Sequence, residues 1–179
     1  MPTKDELRLE MKQRVRALTP EFRALASEKI CRAIALDDAW KSAPLVAAFL
    51  PLSSEPQIAP LLDRAAVCIP RVRGERCELV FLPKPFAHAD WLLAGPEFDA
   101  LPAIDPARLD LILVPGLAFT QDGLRLGRGG GVYDRLLAGC PARTRRIGVC
   151  FATQLVAALP AEPHDQRVER VITESSPFA

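Results

Sequence analysis

The chain has 179 residues, 23 basic and 22 acidic side chains, a net charge of +1 and 49% hydrophobic residues. That length suits one globular domain over residues 1–179, and the charge balance removes the electrostatic case for a nucleic-acid partner. Five cysteines without CxxC spacing and only two histidines argue against a disulfide framework or a Cys/His zinc site.

The N-terminus is charged rather than apolar, unlike a signal peptide, and no apolar run approaches the roughly 20 residues of a membrane span. A cytoplasmic protein without membrane partners is therefore expected. Residues 3–18 predict a helix: Thr3 and Glu6 have capping-box spacing, and Leu7, Met11, Val15 and Leu18 share a face. Thr19-Pro20 breaks it, and a second helix is predicted to about Leu36. Lys4 and Arg8 are four residues apart and project from one side of the first helix. A solvated basic face is the plain reading of that pair, because long charged side chains stay in water.

Leu45–Leu50 reads as a buried strand ended by Pro51, followed by the loop PLSSEPQ and a helix over Ile58–Arg64. Loops at the carboxyl ends of strands in α/β sheets are where ligands bind, which makes Glu55 a candidate. Its plainer reading is an exposed loop carboxylate. Ala66–Ile69, closed by Pro70-Arg71, and Glu78–Leu82 read as short strands, paired in a hairpin through Gly74. Residues 83–108 read as a long loop, in which Trp91 is either core packing or a flat wall for a ring-shaped ligand.

The stretch 109–135 organises the rest. Leu109–Val114 is a short apolar run closed by Pro115-Gly116, a buried strand by pattern. Arg125, Gly127, Arg128, Gly129, Gly130 and Gly131 then lead into a predicted helix over Val132–Ala138. Glycines let backbone N–H groups approach an anion closely, and the two arginines offer charged forks for phosphate oxygens. Asp134, just inside the helix, could hold a Mg²⁺ that bridges phosphates. A Walker A loop is excluded, since no Lys lies between residues 85 and 179, and the dinucleotide fingerprint would need glycine where Val132 stands. Glycines alone could mark a tight strand–helix turn; two arginines and an aspartate within ten residues favour a phosphate site. Further on, Arg143, Arg145 and Arg146 precede a strand over Ile147–Phe151, ATQLVAALP reads as a short helix, and a final strand spans Val168–Thr173. Strands alternating with helical patterns predict an α/β protein with a mainly parallel sheet and helices on both faces.

Val114-Pro115-Gly116-Leu117-Ala118-Phe119, Gly123, Arg125-Leu126-Gly127, Gly129-Gly130-Gly131 and Tyr133-Asp134-Arg135 closely resemble the signature of the 5-formyltetrahydrofolate cyclo-ligases. The resemblance implies a three-layer α/β/α sandwich with an open, Rossmann-like sheet. It also implies the ATP- and Mg²⁺-dependent closure of 5-formyltetrahydrofolate to 5,10-methenyltetrahydrofolate, through phosphorylation of the formyl oxygen. Lys4 and Arg8 match a Lys-x-x-x-Arg that contributes to ATP binding in that family. With them, Arg125, Gly127, Arg128, Gly129, Gly130, Gly131, Tyr133 and Asp134 would form the ATP site, with Arg125 and Arg128 catalytic. Asp134 and Asp165 would hold Mg²⁺, and Glu55 would bind the reduced folate. Gln154 resembles a recurrent family glutamine without an assigned role. The implied partners are the reduced folate and ATP, with neither nucleic acid nor membrane, and the chain is expected to act as a monomer.

Three places depart from the pattern. Phe49 and Val132 stand where a Tyr is common, and FDALPAIDP (residues 98–106) replaces a Gly-Ile-x-Glu-Pro-like element. These motivate two alternatives: a divergent relative using the same ATP and Mg²⁺ site on another substrate, or a non-catalytic nucleotide-binding module.

Overall fold

The computed structural model describes residues 2–64, 66–74, 76–83 and 96–177. Trp91 lies outside the described residues.

Helix α1 (Lys4–Arg16) begins with the expected capping box: the Thr3 hydroxyl accepts from the Glu6 N–H, and the Glu6 carboxylate accepts from the Thr3 N–H. Leu7, Met11 and Val15 form its buried face. Helix α2 (Pro20–Leu36) starts with Pro at its first turn under a Thr19 cap, and α3 (Asp38–Ser42) starts under an Asp37 cap. The strands are β1 (Val46–Ala47), β2 (Val67–Arg73), β3 (Arg76–Phe81), β4 (Leu111–Pro115), β5 (Ala118–Phe119), β6 (Arg125–Leu126), β7 (Arg145–Val149) and β8 (Arg170–Ile172). Helix α4 (Pro96–Asp99) lies between β3 and β4, and α5 (Val132–Ala138) between β6 and β7.

Six strands form one sheet in the order β3-β2-β1-β4-β7-β8, all parallel except the antiparallel edge strand β3. Side-chain alternation sends the two faces to different layers. Val46, Leu111, Leu113, Ile147 and Val149 pack with residues of α2 and α3. Ala47, Ile112 and Val114 pack with Leu136 and Leu137 of α5 on the other face. The expected three-layer α/β/α architecture is present. Helix α1 lies to one side, where Leu7 and Met11 pack on Ala118 and Leu126 of the β5–β6 hairpin.

Several elements differ from their predicted extents. The apolar run Leu45–Phe49 is buried throughout, yet the ladder spans only Val46–Ala47; Ala48 still donates to Cys68 O at 2.9 Å, and Pro51 then turns the chain out. Strand β2 runs straight through Pro70. Leu82 N–H donates to Val67 O, so alternation along the β2–β3 ladder points the Pro70 nitrogen away from β3, and no bond is lost. The predicted helix over Ile58–Arg64 is a 3₁₀ turn, Ala59–Asp63. ATQLVAALP is helical only as a 3₁₀ turn over Ala152–Gln154, because the hairpin captures the two residues after it: Leu155 bridges to Phe119, and Val156 N–H donates to Phe119 O at 2.9 Å. β7 starts two residues earlier than predicted, since Arg145 N–H donates to Asp110 O at 2.9 Å.

The segment expected as loop contains α4, tied to the sheet by one buried side chain. Arg71 on β2 donates to the carbonyls of Phe98 (2.9 Å) and Leu101 (2.8 Å) and to Glu78 (2.8 Å). At the centre, β2 lies on one side of β1 and β4 on the other, so the loops leaving β1 and β4 part and open a crevice at the carboxyl end of the sheet.

Gly123, in the β5–β6 turn, has φ +87°, and a Cβ there would lie 2.0 Å from the Val168 carbonyl oxygen. Gly123→Ala is expected to cost about 2 kcal/mol or more through left-handed strain and this collision. Thermal denaturation should then show Tm lowered by about 4–8 °C; an unchanged Tm would show that the turn relaxes freely.

Candidate active site

Four segments meet over the crevice: the loop leaving β1, the turn after β4, the glycine loop between β6 and α5, and the N-terminus of α1 facing residues 160–165. The turn after β4 is uncharged; the other three carry charged side chains held in ion pairs.

Glu55 sits in the loop after β1 and is buried. Its Oε2 accepts from Leu52 N–H at 3.0 Å, while Oε1 accepts from Arg128 Nη2 at 2.9 Å and Nε at 3.2 Å. Arg128 also donates to Ser54 Oγ at 3.1 Å. A carboxylate out of water must be compensated, and Arg128 does this from the glycine loop.

Arg125 is more deeply placed, with its side chain 4% exposed. Its Nη2 donates to Asp134 Oδ1 at 2.8 Å, and its guanidinium lies 5.7 Å from the centre of the Tyr133 ring. Its Nε is buried without a hydrogen-bond partner among the described residues. Burial, with the nearby Glu55 charge, pushes the Tyr133 phenol well above its usual range, so its hydroxyl stays protonated at neutral pH.

The glycines give these side chains room. A Cβ on Gly127 would lie 2.8 Å from Arg125 Nη1. Gly129 has φ +105° and Gly131 φ +61°, conformations that bulkier residues resist. Arg8 reaches over from α1 and donates through Nε to Gly127 O at 3.1 Å, which fixes the loop against the helix.

Lys4, one helical turn before Arg8, donates to both oxygens of Asp165 (2.9 and 3.1 Å) and pairs with Glu162 at 2.9 Å. Burial alone would lower the Lys4 pKa; the two carboxylates outweigh it, and the net shift is upward. For Asp165, burial works to raise the pKa, but Lys4 and the Glu162 N–H hold it below the ordinary carboxylate range.

These groups border two chambers. One, about 330 Å³, is mainly apolar, walled by Phe49, Leu50, Pro70, Val72 and Val132, with Glu55 and Arg128 at its side. The other, about 540 Å³, is polar and is bordered by Lys4, Arg8, Glu162, His164 and Asp165. Arg125, Gly127, Gly131 and Asp134 line both. All the residues assigned to the ATP, metal and folate sites by resemblance thus border one chamber or both. Arg128, Gly130 and Tyr133 border the apolar chamber, and Gly129 the polar one.

Sequence reasoning missed Glu162, whose only signal is its position three residues before Asp165, and Ser54. It also left Gln154 without a role. Gln154 is buried and works as a clamp: its amide donates to Gly116 O (3.1 Å) and Leu117 O (2.9 Å), and its carbonyl accepts from Phe151 N–H (2.9 Å). The turn at the floor of the apolar chamber is thereby tied to the end of β7. Among the described residues, no group of three or more His, Cys, Asp or Glu side chains is placed to hold a metal by itself.

Comparison with known proteins agrees in sequence and in fold. A family model described as the 5-formyltetrahydrofolate cyclo-ligase family matches residues 1–174. A 5-formyltetrahydrofolate cyclo-ligase of Mus musculus is 31% identical over 193 aligned positions, covering 96% of this chain and 93% of that protein. One from Mycolicibacterium smegmatis is 36% identical over 140, covering 72% of each. The NMR structure of Aquifex aeolicus 5,10-methenyltetrahydrofolate synthetase superposes with a TM-score of 0.80 at 29% identity, over 97% of this chain and 90% of that one. From Mycoplasma pneumoniae, a 5,10-methenyltetrahydrofolate synthetase at 22% identity shares the fold, with a TM-score of 0.76 over 96% of this chain and 99% of that one. With nearly its whole length matched, the chain belongs to the 5-formyltetrahydrofolate cyclo-ligase family of enzymes.

Proposed function

We propose that the chain closes 5-formyltetrahydrofolate to 5,10-methenyltetrahydrofolate at the expense of ATP, releasing ADP and phosphate. The observation that carries this reading is the pair of chambers, one apolar and one polar, that meet at Arg125 and Asp134.

The apolar chamber suits a flat pterin ring, with Phe49, Leu50, Pro70 and Val132 against its faces. Glu55 offers a buried carboxylate to the ring's edge of N–H donors. The polar chamber suits a triphosphate, held by Lys4 and Arg8 and by the backbone of the glycine loop. A γ-phosphoryl group at the shared wall would meet the Arg125 side chain, which lines both chambers.

The chemistry needs that arrangement. The N5-formyl group is amide-like, and its oxygen leaves poorly. Attack of that oxygen on the γ-phosphorus breaks the bond to ADP and converts the oxygen into part of a phosphate leaving group. N10 then attacks the formyl carbon; the C–O bond breaks, phosphate departs, N10 loses its proton and the five-membered ring closes. The protein supplies position and charge compensation rather than a covalent nucleophile.

The donor set fits Mg²⁺. Asp134 uses only Oδ1 on Arg125, Asp165 borders the same chamber, and this ion takes one or two carboxylates together with substrate phosphates. Bound there, it would supply neutralising charge to the transferring phosphoryl group. Because Lys4 occupies both Asp165 oxygens, metal and lysine would share that carboxylate. A second reading, the same ATP site acting on another substrate, draws on Phe49 and Val132: both line the apolar chamber and neither offers a hydroxyl.

The direct test follows the near-ultraviolet absorbance of the conjugated methenyl product with purified protein, 5-formyltetrahydrofolate, Mg²⁺ and ATP. An ATP-dependent rise is expected, and its absence while ATP still binds would favour the second reading. Asp134→Asn should lower kcat about 10²-fold or more in protein that stays folded at the assay temperature, with Tm also lowered because enclosed Arg125 loses its counter-charge; near-normal turnover would remove Asp134 from the chemistry. Acid should also act on the Lys4–Asp165 tie. With its folded pKa below its unfolded one, Asp165 contributes stability above about pH 4 that is lost as pH falls through the lowered value. Between about pH 5 and 3, Tm should therefore fall further for wild type than for Asp165→Asn. Parallel curves would show that the pair adds nothing.

A further inference from the structure

The pairing of Glu55 with Arg128 joins the two ligand sites in a way the reaction alone does not require. Arg128 extends from the glycine loop that borders the phosphate chamber, yet its guanidinium points into the apolar chamber and spends two donors, Nε at 3.2 Å and Nη2 at 2.9 Å, on one oxygen of Glu55. The Glu55 side chain is 8% exposed and that of Arg128 39%. Glu55 is thus fixed within the fold, and Arg128 is the partner free to move away.

The pterin edge that Glu55 would accept carries an exocyclic amino group beside a ring N–H. Two parallel N–H donors on a planar C–N framework are what a guanidinium presents. Arg128 therefore fills the place of the pterin's donor edge while the folate is absent. A pterin taking Glu55 displaces the fork, and the freed cation lies on the loop that faces the nucleotide.

We propose that the Glu55–Arg128 ion pair is a latch that makes nucleotide binding depend on folate: the pterin displaces Arg128 from Glu55, and the released guanidinium then serves the ATP phosphates. The latch rests on the cyclo-ligase reaction proposed for this site. Glu55 is then both a folate ligand and the residue that withholds a phosphate-binding arginine until the acceptor is in place. ATP is thereby kept from tight binding, and from attack by water, in the folate-free enzyme. Linkage requires the converse, that nucleotide tightens folate by the same factor.

Isothermal titration with the non-hydrolysable β,γ-methylene analogue of ATP and Mg²⁺ tests this on the intact protein. In wild type, saturating 5-formyltetrahydrofolate is expected to tighten the analogue about five-fold or more. In Glu55→Gln, the folate-free protein should already bind the analogue more tightly than folate-free wild type, with little further gain from folate. Arg128→Ala gives an independent arm: without nucleotide it should bind 5-formyltetrahydrofolate more tightly than wild type, because no pair has to be broken. A fold merely damaged by truncation would not gain affinity. The latch is overturned if wild type binds both ligands with independent affinities, or if Arg128→Ala binds folate more weakly. Independent binding would leave the proposed reaction intact, whereas failure of wild type to bind either ligand would remove that reaction and the latch together.

Discussion

Charge taken out of water and compensated by charge organises this molecule. Arg125, almost wholly enclosed, is tolerable there because Asp134 and the Tyr133 ring face it. Buried Glu55 depends in the same way on Arg128, and half-buried Lys4 on Asp165. Taking an ion from water costs several kcal/mol even after relaxation, and pairing recovers only part of that. Packing alone would not select such an arrangement. It gathers three paired cations and three paired carboxylates around the two chambers, where the proposed reaction would use them.

The sheet makes those pairings possible by stopping early at its centre. Strand β1 contributes only Val46 and Ala47 to the ladder, while β2 and β4 on either side run further. The chain leaving β1 carries Phe49 and Leu50 into the gap, then turns to place Glu55 opposite the glycine loop. Gln154 fixes the other side of the gap through two carbonyls of the turn after β4. The walls of the apolar chamber are thus set by a side-chain clamp from the turn after β7 as much as by the motif itself.

Those features divide by how local their causes are. Thr3 and Glu6 satisfy each other within one turn, and the Thr19-Pro20 start of α2 is as self-contained, so both helix starts were legible. The glycine loop was legible because glycine, arginine and aspartate at that density have few other uses; Lys4 and Arg8 became site candidates only through resemblance. The 3₁₀ turns at Ala59–Asp63 and Ala152–Gln154 were read as helices because apolar content resembles a helix until tertiary bonds are known. Arg71 reaching the carbonyls near α4, Gln154 clamping a distant turn and Glu162 meeting Lys4 are all long-range, and nothing in their neighbours along the chain announces them. Pro70 misled in the opposite sense. It read as a strand stop, whereas its nitrogen faces away from β3, so the β2–β3 ladder runs through it and only the pairing towards β1 stops.

That proline has a further bearing on what can enter the molecule. Where β1 ends, Pro70 and Val72 of β2 border the apolar chamber, and a bare backbone edge inside a sheet is an invitation to any extended polypeptide. Pro70 offers no N–H there, and its ring lies in the wall of the apolar chamber. A peptide trying to zip into the gap would meet a missing rung at its first step, while a planar heterocycle needs no rung and gains an apolar face. The same residue that reads as a strand end thus withholds a hydrogen bond from any polypeptide and gives the chamber an apolar wall.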